Sequence, residues 1–344
     1  KNLNKVKDQP TLYPISSCKT WTHLYNNLPF DLTEDQKKCL KQMYFTVKQG
    51  KRLNVLIQGD VGSGKTIVAI FMMVLAAENG YQSCLMAPTE VLARQHYEEL
   101  QERLKGLPFQ VGYLSGNLTA KQKNMTLEKI KSGEIQLVVG THAVIQDGVE
   151  FKKLGLMIVD EQHRFGVVQR EALLEKYQHP HSIVMSATPI PRTLSMALYG
   201  NSIQVLTIKT KPAGRKPVKT IRMEDNSEVN EFMWQEIQKG RQCYVICPLI
   251  EDSDSERMAE VESVNTVYEK LVSYFKKYPE VKISLISGKM RPKDIDEEIK
   301  KFANNETHIL ISTTIVEVGV NIPNATVMVI KNAERFGLAQ LHQL

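Results

Sequence analysis

The stretch Gly59-Asp60-Val61-Gly62-Ser63-Gly64-Lys65-Thr66 decides the fold of this chain. The apolar run 53–57 before it predicts a buried strand, and the apolar run 67–77 after it predicts a buried helix. This order of strand, G-x-x-x-x-G-K-[ST] and helix is that of a P-loop, whose glycines let backbone N–H groups surround phosphates. The sequence therefore predicts a nucleoside triphosphate site. The alternative is an ordinary glycine-rich turn.

Two side chains of this loop have expected roles in holding the ligand. Lys65 is expected to reach the β- and γ-phosphates, and the Thr66 hydroxyl is expected to hold Mg²⁺. The N-terminus of the following helix adds partial positive charge at the same place. A P-loop alone indicates only nucleotide binding, so what the energy of the nucleotide is used for must be inferred from the rest of the chain.

Strands and helices alternate after the P-loop, and polar groups follow the strands. Asp160-Glu161 follows the apolar run 154–159, and Ser186-Ala187-Thr188 follows the run 183–185. Such alternation predicts a parallel sheet with helices on both faces, and ligands bind at the carboxyl ends of its strands. The P-loop and these two groups should therefore share one surface.

Asp160 and Glu161 fit a Walker B arrangement, in which Asp160 holds Mg²⁺ and Glu161 acts as the base for water. The alternative is a solvated acidic pair. Gln162 and His163 could sense the γ-phosphate, together with the group at 186–188. A structural histidine and a strand-end cap are the alternatives, and the residues alone leave both open.

The chain divides into two α/β lobes. The stretch 209–219 is basic and contains two prolines, which is typical of a linker. A second alternation follows it without a P-loop, so we expect a nucleotide clamped between two lobes. The predicted parts are a tail or remnant of an upstream domain at 1–28, a first lobe at 29–206, a basic linker at 207–219 and a second lobe at 220–344.

Composition excludes few functions. The 344 residues carry a formal net charge of +6, which permits a polyanionic partner without requiring one. The five cysteines are scattered, which favours a reducing cytoplasm over a disulfide framework. The longest apolar run is too short to span a bilayer, so no membrane partner is expected.

Gln36 has two interpretations. Thr33 is a predicted helix N-cap with Gln36 three residues later, which is a capping box. Alternatively, Gln36 lies near the P-loop and bonds the adenine edge, with Phe30 supporting it. Both interpretations stay open from the residues.

Several motifs in fixed order resemble those of superfamily 2 helicases, and within them the RecG family of bacterial ATP-dependent DNA helicases. The resemblance runs from about residue 28 to the last residue. The segments that carry it are 28–33 (LPFDLT), 59–66, 160–166 (DEQHRFG), 185–193 (MSATPIPRT), 247–251 (CPLIE), 313–320 (TTIVEVGV) and 333–344 (AERFGLAQLHQL).

This resemblance implies two RecA-like lobes and an ATP-dependent DNA helicase or translocase. Such an enzyme uses ATP and Mg²⁺ to remodel replication forks and Holliday junctions in recombination and repair. It implies branched or duplex DNA as partner, a single-stranded DNA-binding protein as a candidate protein partner, a monomer, and a nucleoid-associated place in the cytoplasm.

The resemblance also assigns site residues. The expected catalytic residues are Lys65, Asp160, Glu161 and His163, and those expected to couple hydrolysis to movement are Gln162, Ser186, Ala187 and Thr188. The residues expected to bind ATP are Phe30, Gln36, those of the loop from Gly59 to Thr66, Glu317 and Gly319. Those expected to touch the DNA backbone are Thr89, Arg94, Thr141, His142, Thr313 and Thr314.

The chain departs from the family pattern in three places. Asn321 stands where the family commonly has Asp, which removes a negative charge. The family's upstream wedge domain is missing or reduced to 1–28, and its arginine-rich motif would begin directly after Leu344. We therefore expect a helicase-core fragment whose second lobe is truncated before the arginine-rich motif. We expect this fragment to be weakly active or inactive alone.

Two other functions stay open. A transcription–repair coupling translocase shares much of the motif set, although the segment 28–30 and Gln162 favour branch remodelling. RNA polymerase binding would distinguish the two. The second is a module that binds nucleotide and DNA without hydrolysing the nucleotide, which is consistent with the expected lack of the arginine-rich motif. A P-loop kinase or transporter ATPase is disfavoured by the second lobe and the motif at 313–320.

Overall fold

The structure of the chain is a computed structural model, and the chain divides into two compact units, Lys1–Arg215 and Lys216–Leu344. The division falls inside the stretch 207–219, which the sequence predicts as a linker. The structure describes residues 19–60, 62–146, 148–160, 167–187, 190–200, 202–209, 216–248, 264–287, 290–313, 322–338, 341 and 344.

The first unit is a parallel sheet of seven strands in the order β3-β4-β2-β5-β6-β1-β7. Helices connect the strands, as the alternation in the sequence predicts. Its elements are α1 Lys19–Asn26, α2 Glu34–Lys48, β1 Asn54–Gly59, α3 Lys65–Glu78, β2 Gln82–Met86, α4 Glu90–Arg103, β3 Val111–Leu114, α5 Ala120–Ser132, β4 Leu137–Gly140, a 3-10 helix His142–Ile145, β5 Leu154–Asp160, α6 Val167–Lys176, β6 His181–Ser186, α7 Arg192–Tyr199 and β7 Gln204–Ile208.

Helix α3 lies in the core of this unit. Every residue from 67 to 77 is buried, which explains why its sequence is apolar on all faces rather than along one stripe. Helix α1 packs on it: the Trp21 indole N–H donates to the Phe71 carbonyl at 2.7 Å, and the two rings meet edge to face at 5.6 Å. The end of the stretch 1–28 is therefore a helix of the first unit.

The second unit is a parallel sheet of four strands in the order β11-β8-β10-β9. Its core joins Trp234, Phe275 and the inward-facing residues of β8 and β10, and the Trp234 ring stacks on Tyr278 at 3.8 Å. Its elements are α8 Asn226–Gln238, β8 Gln242–Cys247, α9 Val264–Phe275, β9 Ile283–Ile286, α10 Pro292–Ala303, β10 Ile309–Thr313, β11 Ala325–Ile330 and a 3-10 helix Ala333–Arg335.

The sequence prediction omits α1, α6, α7 and β7 of the first unit, together with its short 3-10 helix. Strand β7 pairs with β1 along its whole length and extends two residues into the predicted linker. Some residues of β7 are buried and others are exposed, so its sequence includes polar residues and lacks the continuous apolar run that identifies the inner strands.

No helix within the described ranges is both long enough and apolar enough to cross a membrane.

A buried histidine joins the amino ends of β1 and β6. The Leu53 backbone N–H donates to His181 Nδ1 at 2.8 Å, so the imidazole is an acceptor and is neutral there. Burial, together with the nearby Arg52 cation, lowers the pKa of His181 to about 3. Below about pH 6.5 the His181 imidazole therefore binds a proton in the unfolded chain, whereas in the folded chain it stays neutral until the pH approaches 3.

We predict that the stability of the first unit falls as the pH drops from about 6.5 towards 3, because only unfolded His181 gains the proton. His181→Asn offers an acceptor oxygen to Leu53 but does not titrate, so its free energy of unfolding should fall less over the same interval. Urea unfolding of both proteins at about pH 7 and about pH 5 measures the difference. Equal losses in both proteins would contradict the prediction.

Candidate active site

The loop between β1 and α3 has the geometry of an anion cradle. Gly62 and Gly64 have φ of +71° and +88°, a left-handed conformation that glycine adopts without steric cost. Gly64 is the N-cap of α3, and no side chain of the described residues caps the helix there. The amides of the first turn are therefore available to an anion, which the helix N-terminus attracts.

Close packing inside the loop explains its first glycine. A Cβ on Gly59 would lie 2.4 Å from Ser63 Oγ and 3.0 Å from the Ile208 carbonyl oxygen, so any larger residue would have to displace the Ser63 side chain and crowd β7. Ser63 Oγ is itself buried and has no hydrogen-bond partner among the atoms that the structure describes. An orphaned hydroxyl next to an uncapped helix N-terminus fits a loop built to hold a ligand.

Lys65 begins α3 and folds back over the loop. Its Nζ donates to the Gly59 carbonyl at 2.6 Å and to the Asp60 carbonyl at 3.1 Å. The ammonium group therefore already lies at the loop, where phosphate oxygens can replace carbonyl oxygens as acceptors. Thr66 follows on the first helical turn and is half-buried.

Gln36 connects α2 to the P-loop. Its Oε1 accepts from the Thr33 backbone N–H at 2.8 Å and Thr33 caps the helix in return, which is the predicted capping box. Its Nε2 donates to the Gly64 carbonyl at 3.1 Å, so the amide also supports the loop. Phe30 is exposed, with the Arg103 guanidinium 5.6 Å from its ring. The adenine-binding role of Gln36 and Phe30 stays a prediction.

The sheet brings the second motif to the same edge as the P-loop. Asp160 ends β5 opposite Met185 of β6, and Met185 pairs in turn with Ile57 of β1. Ser186 and Ala187 follow at the end of β6, and both are buried. The carboxyl ends of β5, β6 and β1 therefore lie side by side, which is the arrangement expected of a nucleotide site.

Asp160 has a partner that the sequence prediction missed. His96 Nε2 lies 2.9 Å from Asp160 Oδ2, and the two residues are only 5% and 7% exposed. His96 occupies an inward-facing position of α4 beside Leu92, Ala93 and Leu100. A histidine at an otherwise apolar position of a helix stripe is the signal that could have revealed the pair.

The oxygen groups at this edge suit Mg²⁺. The Thr66 hydroxyl and the Asp160 carboxylate are hard oxygen ligands of the kind that Mg²⁺ prefers. Within the described ranges, no three His, Cys, Asp or Glu side chains cluster into a metal cage. Mg²⁺ typically keeps several waters and binds through one or two protein oxygens plus substrate phosphates, and Thr66 and Asp160 can supply such oxygens.

The residues expected to touch DNA divide into buried and exposed groups. Thr89 is buried and its hydroxyl accepts from the Leu92 N–H at 3.3 Å, which makes it the N-cap of α4. Thr141 and Thr313 are also buried. Arg94 and His142 are exposed, and the Arg94 guanidinium lies over the Tyr113 ring at 4.0 Å. The two exposed cationic or titratable side chains are therefore the better placed for a phosphate.

Eight of the predicted site residues lie outside the described residues. They belong to the P-loop, to the segment after Asp160, to the segment after Ala187 and to the motif after Thr313. They are Val61, Glu161, Gln162, His163, Thr188, Thr314, Glu317 and Gly319.

Comparison with known proteins gives two family matches. The DEAD/DEAH box helicase family matches residues 33–197, and the helicase conserved C-terminal domain matches residues 226–344. The first match contains the P-loop and Asp160, and the second begins at the first residue of α8. Both units therefore have the RecA-like helicase fold.

Curated relatives and solved structures agree with these matches. The ATP-dependent DNA helicase RecG of Streptococcus pneumoniae is 48% identical over the whole of this chain, which spans 50% of that protein. A structure of RecG bound to a three-way DNA junction matches 99% of this chain and 44% of its own, with 38% identity and a TM-score of 0.81. The DNA-bound helicase MrfA, at 18% identity and a TM-score of 0.66, supports the fold alone.

We predict that Gly64→Ala abolishes nucleotide binding and destabilises the first unit. The new Cβ would adopt a left-handed φ and lie 2.0 Å from Gln36 Nε2, so the Gln36 amide must leave the loop. The strain costs about 1–2 kcal/mol, and the lost hydrogen bonds add about 1–3 kcal/mol. Urea unfolding and titration with a fluorescent ATP analogue measure both effects.

Gly50→Ala is the matched control. Gly50 also has a left-handed φ, of +78°, but a Cβ there meets no atom within 4 Å. Gly50→Ala should lower the free energy of unfolding by the backbone strain alone and leave nucleotide affinity unchanged. Equal effects of the two substitutions would show that the packing of Gln36 against the loop is unimportant.

Proposed function

Since the chain belongs to the RecG family of helicases, we propose that it is the core of an ATP-dependent DNA helicase that remodels branched DNA. The observation that carries the proposal is the loop at 59–66, whose uncapped helix N-terminus lies at the same sheet edge as Asp160. The chain spans about half the length of the curated relatives it matches, so the activity of the whole protein is part of the proposal.

The proposed hydrolytic site uses three groups of the first unit. The amides of the loop and the Lys65 ammonium bind the β- and γ-phosphates. Thr66 and Asp160 would hold Mg²⁺, which would supply positive charge next to the phosphates during transfer. Glu161, assigned from the sequence, orients and deprotonates the attacking water.

The proposed DNA contacts come from segments that follow two neighbouring strands at the same edge of the sheet. Arg94 lies on the helix after β2 and His142 lies directly after β4, and these two strands are paired neighbours. An exposed guanidinium and an exposed imidazole suit phosphate oxygens, which carry no sequence information. Recognition by backbone contacts fits an enzyme that selects the shape of DNA rather than its sequence.

The remaining expectations of the sequence are part of the same proposal. A single-stranded DNA-binding protein as partner, a monomeric state and association with the nucleoid are predictions from the family resemblance. They rest on no contact within either unit.

We predict that this chain hydrolyses ATP faster when a synthetic branched DNA is present, and that Lys65→Ala loses both nucleotide binding and turnover. The reason is that Lys65 is the one side-chain cation found on the loop carbonyls among the described residues. A phosphate-release assay with and without a four-way junction measures turnover. Lys41→Ala, which changes an exposed lysine of α2, is the control.

The outcomes of this assay separate the candidate functions. Junction-stimulated turnover that Lys65→Ala abolishes supports the helicase. ATP binding without turnover, in the presence of DNA binding, supports a nucleotide-dependent DNA-binding module. Unchanged nucleotide affinity in Lys65→Ala would overturn the assignment of the P-loop.

We also predict that Arg94→Ala weakens binding to every DNA sequence equally and lowers the salt dependence of the affinity. Loss of one phosphate contact should reduce the slope of log affinity against log salt by about one. Fluorescence anisotropy with two junctions of unrelated sequence measures this, with Lys41→Ala as control. A loss confined to one sequence, or an unchanged slope, would exclude Arg94 as a phosphate contact.

A further inference from the structure

The contact between His96 and Asp160 has a chemical direction. An ionised carboxylate only accepts hydrogen bonds, so His96 Nε2 carries the proton and donates it to Asp160 Oδ2. This hydrogen bond occupies Oδ2 and holds the Asp160 side chain in one rotamer. Among the described residues only Oδ2 has a hydrogen-bond partner, so Oδ1 can bind Mg²⁺ or a water of its hydration shell.

The position of His96 on α4 is costly for packing alone. The other inward-facing residues of the helix, including Leu92 and Leu100, are apolar. A buried imidazole there loses its hydration and is compensated by a hydrogen bond. The compensating group is Asp160, so the histidine serves the carboxylate rather than the fold.

Helix α4 also connects this contact to the proposed DNA surface. The helix carries exposed Arg94 two residues before His96. Its first residue, Glu90, accepts hydrogen bonds from Ser115 Oγ at 3.2 Å and from Asn117 Nδ2. The start of α4 is thus tied to the loop after β3, while its buried face is tied to Asp160.

We propose that His96 is a positioning residue: it holds the Asp160 carboxylate in the orientation that binds Mg²⁺ and links that carboxylate to the DNA-facing helix. The inference rests on the proposed function and deepens it. Partners that orient metal ligands typically change metal affinity about 10- to 100-fold when removed. DNA that shifts α4 would shift the same carboxylate.

A matched pair of substitutions tests the contact. His96→Gln places an amide nitrogen near the position of Nε2 and keeps the donor. His96→Asn is shorter by one methylene and cannot reach Asp160, although it is equally polar. The measurement is the Mg²⁺ concentration that half-saturates binding of a fluorescent ADP analogue, with affinity in EDTA as the baseline.

We expect His96→Asn to raise that Mg²⁺ concentration about 10- to 100-fold, with the EDTA baseline unchanged, and His96→Gln to stay within a few-fold of the unsubstituted chain. Adding a four-way junction should shift the Mg²⁺ requirement of the unsubstituted chain and of His96→Gln, but not that of His96→Asn. His181→Asn, at a buried histidine of the amino edge of the sheet, should leave the Mg²⁺ requirement unchanged.

Asp160→Asn separates failure of this inference from failure of the proposed function. If Asp160→Asn leaves the Mg²⁺ requirement unchanged, the metal site itself is misassigned. If Asp160→Asn raises it but His96→Asn and His96→Gln behave alike, the metal site stands and the role of His96 is overturned. If the substitutions behave as expected but the four-way junction does not change the Mg²⁺ requirement of the unsubstituted chain, the link to DNA is overturned.

Discussion

The first unit depends on one constraint: helix α3 is buried on every side, yet its first turn ends at the surface without a side-chain cap among the described residues. Buried backbone amides need acceptors, and a helix N-terminus carries partial positive charge. The glycines of the loop keep side chains away from these amides. A bound phosphate can accept hydrogen bonds from these amides, which links the fold of the first unit to its proposed ligand.

The parallel sheet gathers the rest of the site around this helix. Because β5, β6 and β1 are neighbours in register, Asp160 and Ser186 end at the same edge as the P-loop. Each polar group follows its own strand, so the pairing of the three strands is enough to bring the groups together. His96 then adds a contact from the helix behind Asp160, which extends the site towards the surface that carries Arg94.

The sequence predicts what short-range patterns determine. The P-loop, the alternation of strands and helices, the capping box of Gln36 and the strand before Asp160 are local, and the structure has each of them. The bond between Gln36 and the P-loop and the pair of His96 with Asp160 join residues far apart in the chain. Their partners are set by tertiary packing, and β7 is likewise defined by its pairing with β1.

A crystal structure with a non-hydrolysable ATP analogue and Mg²⁺ tests the central claim most directly. The account predicts β- and γ-phosphates on the amides of the loop at 59–66, within reach of Lys65. It places Mg²⁺ about 2.1 Å from Thr66 Oγ1 and bound to Asp160 directly or through one water, with His96 still on Oδ2. Phosphates bound away from this loop, or a metal remote from Asp160, would contradict it.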